Sequence, residues 1–358
     1  MGLETALVHE WLTNMAGSER VVAALRRIWP GAPVYTSMRW PPAFADWDGV
    51  RTSFLQPLAT GPRAHVRALP LMPAAFRSLR PKGDLVVTSF HTFAVWARVA
   101  PGVPSVVYCH TPPRFLWSAE QLRQERIPGG VAALRAAGAL LRPADRRYAL
   151  RSTRMIANSH PVAERIKAAY GVEAAVVHPP VDVDRFASAL GTPAGDYFVV
   201  LSRLVAYKRL DLAVAAFTEL RWPLVVVGTG RAEAALRATA PAWISFAGHV
   251  EDKRLPTLLA GARALIVPAE EDFGIAIAEA MAAGTPVVAF KRGGALDSIN
   301  EGLTGTFFAE PTVASLVRAV RAANDVAWDR QAISNGARRF GEDRFRSGIL
   351  EIVSEVLP

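Results

Sequence analysis

Ala264-Leu-Ile-Val267-Pro-Ala-Glu270-Glu271-Asp272-Phe273-Gly274-Ile275-Ala-Ile-Ala-Glu279-Ala-Met-Ala-Ala-Gly284-Thr-Pro286-Val-Val-Ala289 is the stretch on which the fold turns. A short apolar run ends in acidic residues. A helical run of small and apolar residues follows over 274–283. Gly284-Thr285-Pro286 makes a tight turn, and a second apolar run begins. Two buried strands joined by a helix are parallel neighbours in one sheet.

Working outward, the same alternation recurs. Tyr197-Phe-Val-Val-Leu201, Leu224-Val-Val-Val227 and Ile244-Ser-Phe246 read as strands, with a helix over 210–220. Upstream, His178-Pro179-Pro180-Val181-Asp182 breaks the pattern and marks a domain boundary. Before it stand Thr5-Ala-Leu-Val-His9, Asp84-Leu-Val-Val-Thr88, Ser105-Val-Val-Tyr108, Met155-Ile-Ala157 and Ala174-Ala-Val-Val-His178, with an amphipathic helix over 20–28 stopped by Pro30-Gly31. The expected class is α/β: two doubly wound domains facing across a cleft, 1–180 and 181–339. The last stretch, about 332–357, reads as helical, and a terminal helix of about 340–358 is expected to pack back on the first domain.

Length and composition agree. The 358 residues suit two domains, and just over half are hydrophobic with a fifth charged. Disordered, collagenous and disulfide-stapled classes are excluded, and the single cysteine, Cys109, excludes an internal disulfide. Residues 1–180 carry 22 Lys/Arg against 11 Asp/Glu; residues 181–358 carry 19 against 21. A basic half suits an anionic surface or phosphorylated ligand, or reflects an Arg-rich proteome. Met1-Gly2-Leu3-Glu4 lacks a basic leader region, so no signal peptide is expected, and no apolar run reaches a membrane span.

The polar motifs lie just after the strands, where ligands bind in such sheets. Ser202-Arg203-Leu-Val-Ala-Tyr207-Lys208-Arg209 offers two cations five residues apart on a loop entering a helix, suited to a diphosphate or merely solvated. Glu271 and Glu279 can reach two parts of one elongated ligand and accept from paired hydroxyls. Alternatively Glu271 is an N-cap and Glu279 a surface or salt-bridged residue. Gly17, after the first strand, permits close backbone approach to a phosphate or is a plain turn. His110 is aimed at the cleft or is an ordinary hydrogen-bonded histidine. Val226-Val-Gly228-Thr-Gly230 is not a dinucleotide site, because Glu233 replaces its third glycine. Asp182-Val-Asp184 reads as a turn. A metal-protease His/Glu spacing, a Gly-x-Ser-x-Gly elbow and a P-loop lysine are all missing.

In combination these residues resemble glycosyltransferase family 4, retaining nucleotide-sugar enzymes with the GT-B arrangement of two Rossmann-like domains. Glu271-Asp-Phe-Gly274 through Glu279 and Gly284-Thr-Pro looks like the family signature, two glutamates separated by seven residues. Ser202-Arg203-Leu…Lys208 looks like its diphosphate loop. Ile156-Ala-Asn158-Ser159 and Asp297-Ser-Ile-Asn-Glu-Gly302-Leu-Thr-Gly305 are family-like. Tyr108-Cys-His110-Thr-Pro-Pro-Arg114-Phe-Leu-Trp117 is similar to a bacterial subgroup, often mannosyltransferases of surface polysaccharides. Departures are Ala16-Gly17 in place of a glycine pair, Asp297 in place of Glu, and Glu270 adjoining Glu271; Phe273-Gly274 favours Glu271.

The resemblance implies catalytic roles for His110, Arg203, Lys208 and Glu271. It implies donor binding by Gly17, Arg203, Lys208, Phe273, Gly274, Ile275 and Glu279. The donor is a nucleotide sugar, GDP-mannose first, and a UDP-sugar with a soluble acceptor is the alternative. No metal or cofactor is expected: breaking the anomeric bond builds negative charge on the diphosphate, and fixed cations stabilise it. The acceptor, a glycan or lipid-diphosphate-linked sugar, is expected on the basic half. There Arg123, Arg126, Arg135, Arg142, Arg146 and Arg147, interleaved with apolar residues, suit an anionic membrane surface. The expected location is cytoplasmic, peripheral on the inner face of the membrane. Nucleic acid is not expected, since Glu271 and Glu279 repel its backbone.

Overall fold

The computed structural model describes residues 3–118 and 130–357, with 130–137 described by backbone alone. Arg123 and Arg126, and Met1 and Gly2 at the start, lie outside the described residues; so does the side chain of Arg135. The chain divides into two compact units, Met1–Pro180 with Asp343–Pro358, and Val181–Glu342.

The first unit holds β1 (Thr5–His9), β2 (Val34–Thr36), β3 (Val50–Thr52), β4 (Leu85–Phe90), β5 (Ser105–Cys109), β6 (Arg154–Ala157) and β7 (Ala175–Val176). They form one parallel sheet in the order β3-β2-β1-β4-β5-β6-β7. The second unit holds β8 (Phe198–Leu201), β9 (Leu224–Val227), β10 (Ile244–Gly248), β11 (Leu265–Val267), β12 (Val287–Phe290) and β13 (Gly305–Phe308). Their order is β10-β9-β8-β11-β12-β13, again all parallel. Each sheet is doubly wound. Each reverses direction once, between β1 and β4 and between β8 and β11, and the crevice outside the carboxyl ends at that point is where such sheets bind ligands.

Both faces of each sheet are covered, which is why the strands read as unbroken apolar runs. Along β1, Ala6 and Val8 enter one core and Leu7 the other; along β8, Val199 and its neighbours Phe198 and Val200 divide in the same way. The terminal helix Glu342–Val356 presents Phe345, Ile349, Ile352 and Val353, one helical stripe, to the core that contains Leu7. On the opposite face Asp145 is buried and accepts from Trp117 Nε1 (2.8 Å), Tyr170 Oη (2.9 Å) and Trp96 Nε1 (3.4 Å). Burial raises its carboxyl to about 6, against the lowering effect of those three donors.

The structure differs from the sequence reading at several elements. Asp182-Val-Asp184 is not a plain turn: the Asp182 side chain accepts from the Arg185 N–H at 3.3 Å and caps a short helix, Val183–Ala187. β2, β3 and β13 escape periodicity because they are only three or four residues long. β4 runs on through Ser89-Phe90, because buried partners on both sides accept a serine that reads as a strand end. The helix read over 20–28 begins at Gly17, since Glu19 accepts from the Ala16 N–H at 3.2 Å and caps its first turn. The terminal helix is broken. Arg330–Ala337 is followed by a tight turn, Arg338–Phe340, and extended Gly341, where the Val181 N–H bonds the Phe340 carbonyl at 2.8 Å. Among the described residues no helix is long and apolar enough to cross a membrane.

Candidate functional site

In the second unit the loop after β8 carries the two cations. Its single tight turn, Ala206–Lys208, places Tyr207 between them. The Arg203 guanidinium lies 6.0 Å from the Tyr207 ring centre and donates to its hydroxyl, and Lys208 Nζ lies 5.6 Å from the same ring. A ring face flanked by two cations holds both side chains near one point. Lys208 also donates to Glu271 Oε2 across the reversal point of the sheet; the pair is 15% and 19% exposed. An ammonium and a carboxylate therefore meet on adjacent loops.

The acidic loop after β11 is shaped by glycine. Gly274 has φ +87°, in the left-handed region, and is the N-cap of helix Ile275–Ala282; Glu271 is therefore not the cap. Beyond β12, a Cβ at Gly293 would stand 2.2 Å from the Glu271 carbonyl oxygen and one at Gly294 2.3 Å from Phe273 Cα, while the Gly294 N–H donates to the Glu271 carbonyl at 2.8 Å. The glycine pair thus presses the loop into place from below. Phe273 turns its ring into the core against Phe340, centroids 5.2 Å apart, which leaves only its backbone at the loop. Ile275 is half-buried at the first helical position. Glu279 is 4% exposed, so it is no surface carboxylate.

In the first unit the carboxyl ends of β1, β4 and β5 bring together His9, Ser89, His91 and His110. His110 Nε2 lies 2.8 Å from Ser89 Oγ, and the His91 and His110 ring centres are 6.0 Å apart. Burial, then the fields of His91 and His9, push His110 well below the ordinary imidazole range. Trp11 stacks on His65 at 4.3 Å and meets His91 edge-on. Beneath them Glu10, fully buried, accepts the backbone N–H groups of His91, Thr92, Phe93 and Ala94 at 2.6–3.1 Å and so fixes the loop after β4. Gly17 is half-buried at the first position of its helix.

Each unit therefore gathers its own candidates: Arg203, Lys208, Glu271 and Gly274 in one, His110 with the Gly17 helix in the other. Sequence reasoning missed Tyr207, the Gly293-Gly294 brace and the histidine cluster around His110. The glycine pair follows a strand, like the other motifs, and that placement is the signal that could have found it.

Residues 16–185 match the family described as Glycosyltransferase Family 4, and residues 182–340 match Glycosyl transferases group 1. The chain belongs to glycosyltransferase family 4. The chain is 30% identical over 177 residues to the D-inositol 3-phosphate glycosyltransferase of Mycobacterium tuberculosis; the match takes in 43% of this chain and spans 37% of that relative's length. Its fold is that of solved GT-B structures. Anabaena HepE in complex with UDP and glucose superposes with a TM-score of 0.70 at 18% identity, covering 99% of this chain and 100% of that one. The lipopolysaccharide outer core galactosyltransferase WaaB gives 0.69 at 15% identity, with the same coverages.

Proposed function

We propose that this chain moves a hexose from a nucleotide-diphosphate sugar to a glycan or lipid-diphosphate-linked acceptor in bacterial surface-polysaccharide synthesis, with retention of configuration and without a metal. The first reading of the donor is GDP-mannose. The observation that carries the proposal is the joining of Lys208 to Glu271 beside Arg203. An ammonium has three donors, so Lys208 can keep Glu271 and still bind phosphate oxygens. Arg203 adds a planar fork for the diphosphate. As the anomeric C–O bond breaks, negative charge grows on the diphosphate and meets two cations already in position. The leaving phosphate takes the acceptor proton on the face it departs from, which retains configuration. Glu271, tied to Lys208, is read as an acceptor for sugar hydroxyls, and Glu279 as the group for the ribose.

The UDP-sugar alternative is favoured by one finding: the fold neighbour HepE is seen with UDP and glucose. Thermal shift separates the two. A donor at a hundred times its Kd stabilises by about 3 kcal/mol. GDP-mannose is expected to raise Tm by several degrees, with UDP-glucose and UDP-N-acetylglucosamine inert. A shift with a UDP-sugar alone selects the second reading, and no shift with any of the three removes both.

The basic first unit is read as peripheral on the inner face of the cytoplasmic membrane. A groove of about 630 Å³ there is lined by Trp117, Arg142, Pro143, Arg146, Arg147 and Leu150, and Leu140 nearby is 78% exposed. Cations beside apolar side chains suit anionic head groups. Arg142 Nε already donates to the Leu116 carbonyl at 2.6 Å, so the test falls on its neighbours. At about 1 kcal/mol per basic residue, Arg146→Glu with Arg147→Glu should weaken binding to phosphatidylglycerol vesicles by an order of magnitude or more. Unchanged co-sedimentation removes the membrane reading.

A further inference from the structure

His110 ends a buried chain of polar side chains drawn from three strands and one helix. Its Nε2 is 2.8 Å from Ser89 Oγ on β4; Ser89 Oγ is 3.1 Å from His9 Nδ1 at the end of β1; His9 Nε2 is 3.6 Å from Glu19 Oε1. His9 and Ser89 are fully buried and Glu19 is 2% exposed. No solvent reaches these atoms to randomise their protons.

The direction of each proton follows from the far end. Glu19 Oε2 accepts from the Ala16 N–H at 3.2 Å and the Ser18 hydroxyl at 3.0 Å, and the carboxylate sits in a helical first turn, where the aligned peptide dipoles favour negative charge. Burial alone would raise its pKa; the neighbouring His9 and His91 imidazoles outweigh that and hold it below the usual carboxylate value. Among the described residues His9 Nε2 has no hydrogen-bond partner, and the ionised carboxylate 3.6 Å away favours a proton on that nitrogen over a lone pair. With one proton, held on Nε2, His9 presents a bare Nδ1 to Ser89, and the serine hydroxyl then donates to it. The serine oxygen is left to accept from His110, which must carry its proton on Nε2.

We propose that Glu19, His9 and Ser89 are positioning residues that hold His110 in the Nε2-protonated tautomer and so present its Nδ1 as an acceptor. The inference deepens the proposed function and rests on it together with one point that the resemblance implies, a catalytic role for His110 beside the transferred sugar. There a bare Nδ1 can accept a hydrogen bond from a hydroxyl of the donor sugar or the acceptor, which the other tautomer cannot do.

The tautomer is read directly, without any substrate. Long-range ¹H–¹⁵N spectra of the full chain labelled with ¹⁵N-histidine, with His110 assigned from His110→Gln, should show the Nε2–H pattern at pH 7.5. Ser89→Ala and Glu19→Gln should each convert it to a mixture. Gln at position 19 preserves the helix cap, so folding is not the variable. In transfer assays Glu19→Gln should lower kcat about tenfold with KM for the donor within twofold. A wild-type His110 protonated on Nδ1, or a tautomer unmoved in both variants, overturns the proposal. A tautomer that changes while kcat does not upholds the polar chain and instead removes His110 from the reaction centre, so the two failures are told apart.

Discussion

Lys208→Ala lowers kcat by about 10²–10³ while leaving the fold intact. The rate effect is that of removing one preorganised charge aimed at an oxyanion that develops in the transition state. The stability effect is small, because Lys208 and Glu271 are 15% and 19% exposed and a partly solvated ion pair contributes about 1 kcal/mol. Arg203 does not compensate. Its guanidinium is anchored on Tyr207, donating to that hydroxyl, and cannot occupy the lysine's position without giving up that bond. Glu271→Ala should show a loss of similar size, and the double variant should fall well short of the product of the two, since each residue holds the other. Circular dichroism and Tm establish folding, and single-turnover transfer gives the rate. Either single variant within tenfold of wild type means that the pair is not at the reacting diphosphate.

What the sequence makes legible depends on how local the signal is. Arg203, Lys208, Glu271 and Gly274 stand out because each follows a continuous apolar run, and the ends of parallel strands are where polar residues are functional rather than decorative. Tyr207 is hidden because an aromatic between cations reads equally well as a core residue; only the tight turn Ala206–Lys208 sets it between them. The histidine cluster is hidden for another reason. His9 stands opposite Ser89 in the β1–β4 register, and Ser89 opposite Tyr108 in β4–β5. Residues eighty positions apart meet only through sheet order, which no local pattern encodes. Glu10, next to His9, is fully buried among four backbone amides, a setting that nothing in the local sequence signals.

Gly228→Ala should disable the donor loop as thoroughly as removing its lysine, by a different route. The Gly-Thr-Gly segment after β9 superficially has the look of a nucleotide fingerprint, yet its glycines face protein. Gly228 has φ +123°, a conformation that residues with a Cβ avoid, and its Cβ would stand 2.0 Å from the Ser202 carbonyl oxygen; one at Gly230 would stand 2.2 Å from the Leu204 carbonyl. Retreat is blocked on both sides. The Ser202 N–H bonds the Val227 carbonyl at 3.1 Å, the Leu204 N–H bonds the Thr229 carbonyl at 3.0 Å, and the Gly228 N–H bonds the Gly248 carbonyl at 2.7 Å. Strain of about 1–3 kcal/mol in φ adds to the cost of pushing two backbones apart, for a total of about 3–4 kcal/mol. Tm should fall by roughly 6–16 °C. Below that Tm, transfer should still be down by about a hundredfold, since moving Ser202–Leu204 by an ångström takes Arg203 with it. Gly102→Ala is the control. Its φ is +81° but no atom lies within 4 Å of the added Cβ, so it should lose about 1 kcal/mol and no activity. Equal Tm and equal transfer for Gly228→Ala and wild type would mean that the loop carrying Arg203 is not held by this contact.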